Sequence, residues 1–219
     1  MIFINWFDIQ DFIPRLKDHL LAHVRGLAYN GDEYDFSNMD CHCVIIANNR
    51  IFEHAYLQIN YTTYNLRHDQ DSISALSHPD IMLLSQEDEQ LHPYWYARVC
   101  LIFYLFVQHC KDTASPFSKP EHMDVLFVRW FQCDLNFNSG WDAKRLPWVQ
   151  FFDQSNPGDT FGFVNPDAVI RGVHLIPAFR YGLTEDLLGP SFTQRITEVP
   201  DSESDHGLNK DWQFYYINM

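Results

Sequence analysis

The first regular pattern of apolar and polar residues along the chain is helical. In the segment DFIPRLKDHLLAHVRG, apolar residues recur at intervals of three or four, which places them on one stripe of an α-helix. The members of this stripe are Ile13, Leu16, Leu20, Leu21 and Val24. Asp11 suits the N-cap and Gly26 suits the end. The pattern predicts an amphipathic helix near the N-terminus.

After residue 40 the apolar residues come in short runs rich in Val, Ile, Phe and Tyr, which is typical of β-strands. The segment CHCVIIANNRIFEHAYLQINYTTYNL indicates two or three strands, and the adjacent Asn48 and Asn49 predict a hairpin turn. The polar segment RHDQDSISALSHP predicts a loop, and DIMLLS predicts a short strand after it.

The most apolar segment is PYWYARVCLIFYLFVQHC, residues 93–110. Residues 99–107 form a run about half as long as a membrane-spanning helix requires, which excludes a transmembrane helix. A buried helix is the alternative to a strand, but the polar residues mark no clean helical face. The many β-branched and aromatic residues favour a strand.

The segment MDVLFVRWFQCD predicts the second strand of an antiparallel hairpin that begins at Tyr94. Alternation along strands places Tyr94 and Tyr96 on one face and Trp95 on the other. On the partner strand it separates Val128 and Trp130 from Arg129 and Phe131. A sheet buried on both faces explains the long apolar run.

The remaining pattern predicts a mainly β protein. Residues 137–179 alternate apolar pieces with Gly and Pro, which is typical of a small bent barrel. The polar segment TEVPDSESDHGLNKD resembles a linker, and WQFYYINM is too aromatic to stay exposed, so it docks back as a strand or contacts a missing partner segment. We expect a helix-and-hairpin extension at 1–77, a small bent antiparallel β-barrel at 78–182 and an acidic linker with a docking strand at 183–219.

Charge narrows the class of partner. The formal net charge is −14, and of the fifteen basic residues only Lys144 and Arg145 are adjacent. Binding to a phosphate backbone needs clustered cations, so nucleic acid is an unfavourable partner for the isolated chain. A basic protein segment suits this charge better.

The five cysteines are an odd set without disulfide-framework spacing, and the segment MIFINWFDIQD carries no basic signal region or cleavage site. These features predict a reducing, intracellular environment. The lack of an apolar run long enough to span a bilayer predicts no membrane partner.

Several collinear segments resemble one family. They are LKDHLLAHVRGLAYNGDE, NNRIFEHAYLQINYTTYNLRHDQDSI, HPYWYARV, MDVLFVRWF, FGFVNPDAVIRGVHLIPAF and YYINM. Together they resemble the C-terminal region of Plavaka-type transposon proteins of mushroom-forming fungi, in the Kyakuja-Dileera-Zisupton group. In that family the catalytic region lies upstream, so the resemblance implies a noncatalytic, nuclear segment.

A second resemblance covers residues 78–179. The order of DIMLLS, PYWYARVCLIF, VLFVRWF and NPDAVIRGVHLIPA is similar to the bromo-adjacent homology (BAH) domain, a chromatin-associated β-barrel. It implies an interaction module that recognises chromatin proteins or a basic, histone-like peptide. The alternative is a DNA-contacting or assembly region that works only with the missing upstream part of a transposase.

Aromatic residues at the ends of predicted strands are the main candidates for peptide binding, because such rings can surround a cation or a methylated lysine. They are Tyr94, Trp95, Tyr96, Trp130, Phe131 and Trp141. A core position is the alternative for each ring, since alternation buries about half of them. Trp95 is the preferred exposed ring.

The polar segment RHDQD is a second candidate site. Oxygen ligands of Asp69 and Asp71, with His68 nearby, could seat a divalent cation; the alternative is a turn in which they pair with Arg67.

The motif CHC, at residues 41–43, lacks the second ligand pair of a structural zinc site, so we expect thiols without zinc. The sequence has no nucleophile elbow or glycine-rich phosphate loop, which leaves no catalytic residue or cofactor to expect.

Overall fold

A computed structural model describes residues 12–27, 34–63, 68–85, 93–110, 116–134, 137, 139, 143–152, 160–184 and 211–218. Contacts divide the chain into two compact units. Unit 1 comprises Met1–His54 and Phe103–Val125, and unit 2 comprises Ala55–Ile102 and Leu126–Met219. This division does not follow the boundaries expected at 77 and 182. The two units are defined by spatial contacts, whereas the expected regions are defined by the character of the sequence. The three-part division therefore stays a prediction.

Short helices and many strands make up the described residues. The helices are α1 (Phe12–Val24) and α2 (Asn38–Cys41). The strands are β1 (Val44–Ile46), β2 (Phe52–Glu53), β3 (Leu57–Thr62), β4 (His68–Ile73), β5 (Asp80–Leu84), β6 (Tyr94–His109), β7 (Glu121–Cys133), β8 (Trp148–Phe151), β9 (Phe161–Val164), β10 (Val169–Gly172), β11 (His174–Pro177), β12 (Leu183–Thr184), β13 (Asp211–Trp212) and β14 (Tyr215–Asn218). The mainly β prediction is confirmed.

In unit 1, helix α1 confirms the predicted amphipathic helix. Its buried apolar residues are Phe12, Leu16, Leu20 and Leu21. Ile13 is exposed, so its predicted place on the stripe is wrong, and Phe12 is buried one position earlier. The helix ends at Val24, and the predicted stop residue Gly26 follows two positions later with a φ of 66°, which suits glycine. The expected N-cap, Asp11, lies outside the described residues.

Strands β1 and β2 of unit 1 correct the hairpin predicted at Asn48. The turn is present, because Asn48 and Asn49 have φ values of 58° and 50°. The two flanking strands, however, do not pair with each other. Both pair antiparallel with β6, with Ile46 opposite Val107 and Phe52 opposite Tyr104. β6 is 16 residues long and offers backbone partners to both short segments.

Unit 2 contains the main sheet. Its strands lie in the order β10, β5, β6, β7, β8, β14 and β11, and β9 also pairs with β7. Strands β6 and β7 begin or end in unit 1. β6 starts at the predicted Tyr94, and its neighbours are the predicted short strand β5 and the predicted partner β7. The long apolar segment is therefore a strand.

Within the described residues, the sheet of unit 2 curls without closing into a barrel. Strands β10 and β11 occupy opposite ends of the strand order, yet only Val173 separates them in the chain. Because one residue spans at most about 3.6 Å, the sheet must curl until these two strands approach each other. No ladder joins β10 to β11 in the part of the chain that the structure describes. Of the expected small bent antiparallel barrel, the described residues show the antiparallel strands as a curled sheet without closure.

Two apolar clusters, one on each face, form the core of unit 2. The first comprises Ile73, Ile81, Leu83, Ala97, Val99, Ile102, Leu126, Val128, Val164 and Val169, with Leu57, Ile59 and Trp130 packed against it. The second comprises Met82, Tyr96, Phe131, Val149, Phe151, Leu175, Tyr215 and Ile217, with Tyr94, Cys133, Ile170, Val173 and Trp212 packed against it. This separation confirms the predicted alternation along β6 and β7.

The hairpin of β3 and β4 corrects the loop predicted at RHDQD. Residues His68–Ile73 form a strand that pairs with β3, with Ile59 opposite Asp71. The segment lacks a strand-like apolar pattern of its own. Leu57 and Ile59 of β3 pack on the first cluster, and β4 is extended because it pairs with β3 along its length.

The C-terminal segment docks as predicted. β14 pairs with both β8 and β11, and β13 pairs with β12. Tyr215 and Ile217 enter the second cluster. Among the described residues, no helix has the length and apolar character needed to cross a membrane.

Candidate functional site

Trp95 and Trp130 form the tryptophan pair, the candidate binding site. Trp95 lies at the start of β6 and Trp130 near the end of β7, the next strand in the sheet of unit 2. Their ring centroids are 6.3 Å apart, and the ring planes meet at 76°. Both side chains are half-buried. Two rings at nearly a right angle, each partly open to solvent, form two walls against which a cation can pack.

The other predicted rings are less suited to direct contact. Tyr96 and Phe131 have exposed fractions of 0% and 5%, so both belong to the core. Burial also raises the pKa of Tyr96 well above its usual value. Tyr94 is half-buried and packs on the opposite face from Trp95. Trp141 lies outside the described residues.

Asp71, a residue of the second candidate site, connects the β3–β4 hairpin to β10. Its carboxylate accepts a hydrogen bond from the amide of Gly172 at 3.0 Å and lies 3.6 Å from Nε of Arg171. The Arg171 guanidinium carbon in turn lies 4.7 Å from the ring centre of Tyr61. Desolvation, followed by the charge of Asp71, raises the pKa of Tyr61. These contacts indicate a structural role for Asp71.

The remaining residues of that candidate do not converge on a metal. Asp69 accepts a hydrogen bond from the neighbouring amide of Gln70, at 2.8 Å, and His68 is exposed at the start of β4. Arg67 lies outside the described residues. Within the described ranges, no three His, Cys, Asp or Glu side chains are placed to hold a metal ion.

The CHC motif is split between different environments. The Cys41 thiol donates to the carboxylate of Asp18 at 3.0 Å, and burial together with this carboxylate raises the pKa of Cys41 to about 11. Cys43 is buried, and neither Cys41 nor Cys43 is in a disulfide. Cys41 is therefore a poor nucleophile at neutral pH.

Sequence reasoning missed a buried charge cluster on the second face of the sheet. Arg98 makes two hydrogen bonds to Asp80, at 2.7 and 3.0 Å, and a longer one to the hydroxyl of Tyr215 at 3.5 Å. Although burial alone would lower the pKa of Arg98, attraction to Asp80 raises it. The guanidinium also lies 5.1 Å from the ring centre of Phe151.

Arg129 is the second arginine of this cluster. Its Nη1 lies 2.8 Å from Oδ2 of Asp211, and the two side chains are 1% and 5% exposed. The guanidinium carbon lies 3.6 Å from the ring centre of Phe151, and none of its nitrogens makes a well-aligned hydrogen bond to the described residues. Burial lowers the pKa of Arg129, although Asp211 opposes this shift. A charged residue inside an apolar strand was the sequence signal for both arginines.

A second set of aromatic residues, also missed, lies where the C-terminal segment docks. This C-terminal aromatic surface comprises Phe179, Tyr181, Trp212 and Phe214, and it lies over the buried Trp148. Trp148 stacks on Phe214 with ring centroids 4.2 Å apart, and Phe179 meets Trp212 edge to face at 5.0 Å. Phe179 and Tyr181 are 67% and 42% exposed. Large exposed rings clustered in this way are typical of protein contact surfaces.

Comparison with known proteins shows no relative: no family model, no curated protein and no solved structure matches the chain.

Proposed function

We propose that this chain is a noncatalytic interaction module that recognises a basic peptide, such as a histone-like tail of a chromatin protein, through the tryptophan pair. The observation that carries the proposal is the edge-to-face arrangement of Trp95 and Trp130 at 6.3 Å. A lysine ammonium can pack on the face of one ring and beside the other. Methylation of the lysine would strengthen this contact because a methylated ammonium is less hydrated and larger.

The two tryptophan rings lie next to the first apolar cluster. Trp130 packs on the first apolar cluster, and Leu83, directly opposite Trp95 on β5, is buried in it. Because the backbone at both tryptophans is paired within the sheet, little conformational freedom is lost when a peptide binds. Preorganised rings lose less entropy on binding than rings on a free loop.

Net charge supports the same class of partner. A formal charge of −14 attracts basic segments at long range and increases the rate of encounter. The resemblance to transposon proteins and to the BAH domain agrees with a chromatin partner and a nuclear location.

A fluorescence titration tests the proposal. A short lysine-containing peptide, its trimethyllysine form and a glutamate-containing peptide of equal length are added to the full chain while tryptophan emission is recorded. The proposal requires that the trimethyllysine peptide binds most tightly and the glutamate peptide not measurably. Equal binding of all three peptides, or of none, would contradict it.

The competing function is an assembly region of a larger transposase, and the C-terminal aromatic surface favours it. The highly exposed Phe179 and Tyr181 suit contact with another protein surface better than enclosure of a single cation. In this account the upstream region of such a transposase covers these rings. Adding the upstream region in trans would then protect Phe179 and Tyr181 from labelling, and would leave Trp95 unaffected.

The alternative also includes a region that contacts DNA, and a DNA-binding measurement tests that part. With only one adjacent pair of basic residues in the sequence, the isolated chain should have no appreciable affinity for random duplex DNA at physiological salt. Tight, steeply salt-dependent binding in an anisotropy titration would favour a DNA-contacting region.

A further inference from the structure

Two cysteines of unit 1 lie directly opposite each other on paired strands. The antiparallel register of β1 and β6 places Val44 opposite His109. One step further along, Cys43 therefore faces Cys110. The amide of Cys110 donates to the carbonyl of Cys43 at 3.0 Å, one step beyond the paired residues of β1, while the amide of Cys43 donates to the carbonyl of Asp40 at 2.8 Å.

This register predicts that the two thiols lie within disulfide reach. Residues that face each other in a hydrogen-bonded antiparallel position have Cα atoms about 5.5 Å apart. This separation lies within the range of about 4.4 to 6.8 Å that disulfides span. Opposed side chains also project from the same face of a sheet.

The surroundings favour this pair over pairing within the CHC motif. Cys41 is engaged with Asp18 at 3.0 Å, and its high pKa leaves almost no thiolate at neutral pH. Neither Cys43 nor Cys110 is in a disulfide in the structure, and both side chains are buried, with exposed fractions of 3% and 8%. β1 has only three residues, so local separation of this short strand can admit a small oxidant without global unfolding.

We infer that Cys43 and Cys110 are a reversible thiol–disulfide site that responds to peroxide. One thiolate attacks hydrogen peroxide, breaks the O–O bond and becomes a sulfenic acid as one water is released. The second thiol attacks the sulfenic sulfur, forms the S–S bond and releases a second water. Two thiols lose two electrons in total, and one peroxide is reduced to two waters.

Peroxide treatment of the reduced full chain tests the site. Remaining thiols are blocked by alkylation, and peptides are mapped by mass spectrometry without reduction. We expect a peptide pair joined through Cys43 and Cys110 as the main product, and its loss after treatment with dithiothreitol. A main product joining Cys43 to Cys41, or a Cys43–Cys110 link that forms only in denaturant, would overturn the inference.

Two variants sharpen the result. Cys133→Ser is the matched control and should give the same yield of the linked peptide. Cys110→Ser should give no disulfide at Cys43 and should instead leave a sulfenic acid that dimedone traps there. An undiminished disulfide yield at Cys43 in Cys110→Ser would also refute the pairing. If Cys110→Ser does not fold, the map of the unsubstituted chain decides alone.

Discussion

Arg129 and Asp211 form an ion pair at 2.8 Å with almost no solvent access, and this contact joins β7 to the C-terminal segment. A guanidinium inside an apolar cluster is costly unless a carboxylate lies beside it. The chain supplies this carboxylate from 82 positions later in the sequence, as the residue numbers show. Docking of residues 211–218 thus neutralises the charge as well as burying Tyr215 and Ile217.

Asp211→Asn should destabilise unit 2 strongly. The variant keeps the size of the side chain but leaves the Arg129 charge buried without compensation, which typically costs about 3 to 5 kcal/mol. Urea unfolding followed by tryptophan fluorescence should show a correspondingly lower midpoint. The double variant Arg129→Met with Asp211→Leu should recover most of the loss, because an apolar pair needs no neutralisation. A single variant as stable as the parent would show that the ion pair contributes nothing.

Val99→Asp should unfold unit 2. Val99 is 1% exposed in the first apolar cluster, so an aspartate there has no water and would cost several kcal/mol. Total stability of a domain is only about 5 to 15 kcal/mol. Leu76→Asp is the matched control, because Leu76 is 90% exposed. Circular dichroism and thermal melting distinguish the two, and a cooperatively melting Val99→Asp protein would refute the assignment of β6 to the core.

Unit 1 should lose stability as the pH falls below 6.5. Burial, with a smaller effect of His23, lowers the pKa of His19 to about 4. A histidine whose pKa is lower in the folded state takes up its proton first in the unfolded state, so stability is fully present above 6.5 and is lost between about 6.5 and 4. Because the side chain is half-buried, solvent reduces the effect to about 1 to 3 kcal/mol.

Helical dichroism measured during urea unfolding at pH 7 and pH 5 checks this dependence. The variant His19→Gln removes the titrating group, so unit 1 of this variant should lose less stability between pH 7 and pH 5. An unchanged pH dependence in His19→Gln would mean that other groups cause it.

The sequence predicts those parts of the fold in which the local pattern and the tertiary contacts agree. Helix α1 follows from its stripe, and the division of Tyr96 from Trp95 follows from alternation in β6. The strand at Asp69 and Asp71 could not be predicted, because its extended form depends on the packing of its partner β3. The turn at Asn48 was predictable from residue type, but its strands pair with a segment more than fifty residues away.

Some residues of the candidate sites could be predicted from the sequence, and others could not. Trp95 and Trp130 were predictable as ends of strands, since ring position follows from alternation. The exposed Phe179 and Tyr181 were not, because their environment depends on how residues 211–218 dock. Arg98 and Arg129 break the apolar pattern of their strands, but only the fold shows that Asp80 and Asp211 compensate them.

Peptide affinity measured on two single variants is the most direct test of the proposed function. The dissociation constant of a trimethyllysine peptide is determined by isothermal calorimetry for the parent chain, Trp95→Ala and Phe179→Ala, after circular dichroism confirms that all are folded. The account predicts that Trp95→Ala weakens binding about tenfold or more, since a cation–π contact of about 2 kcal/mol is lost, and that Phe179→Ala leaves it unchanged. Unchanged affinity in a folded Trp95→Ala protein, with loss in Phe179→Ala, would contradict it and place recognition on the C-terminal aromatic surface.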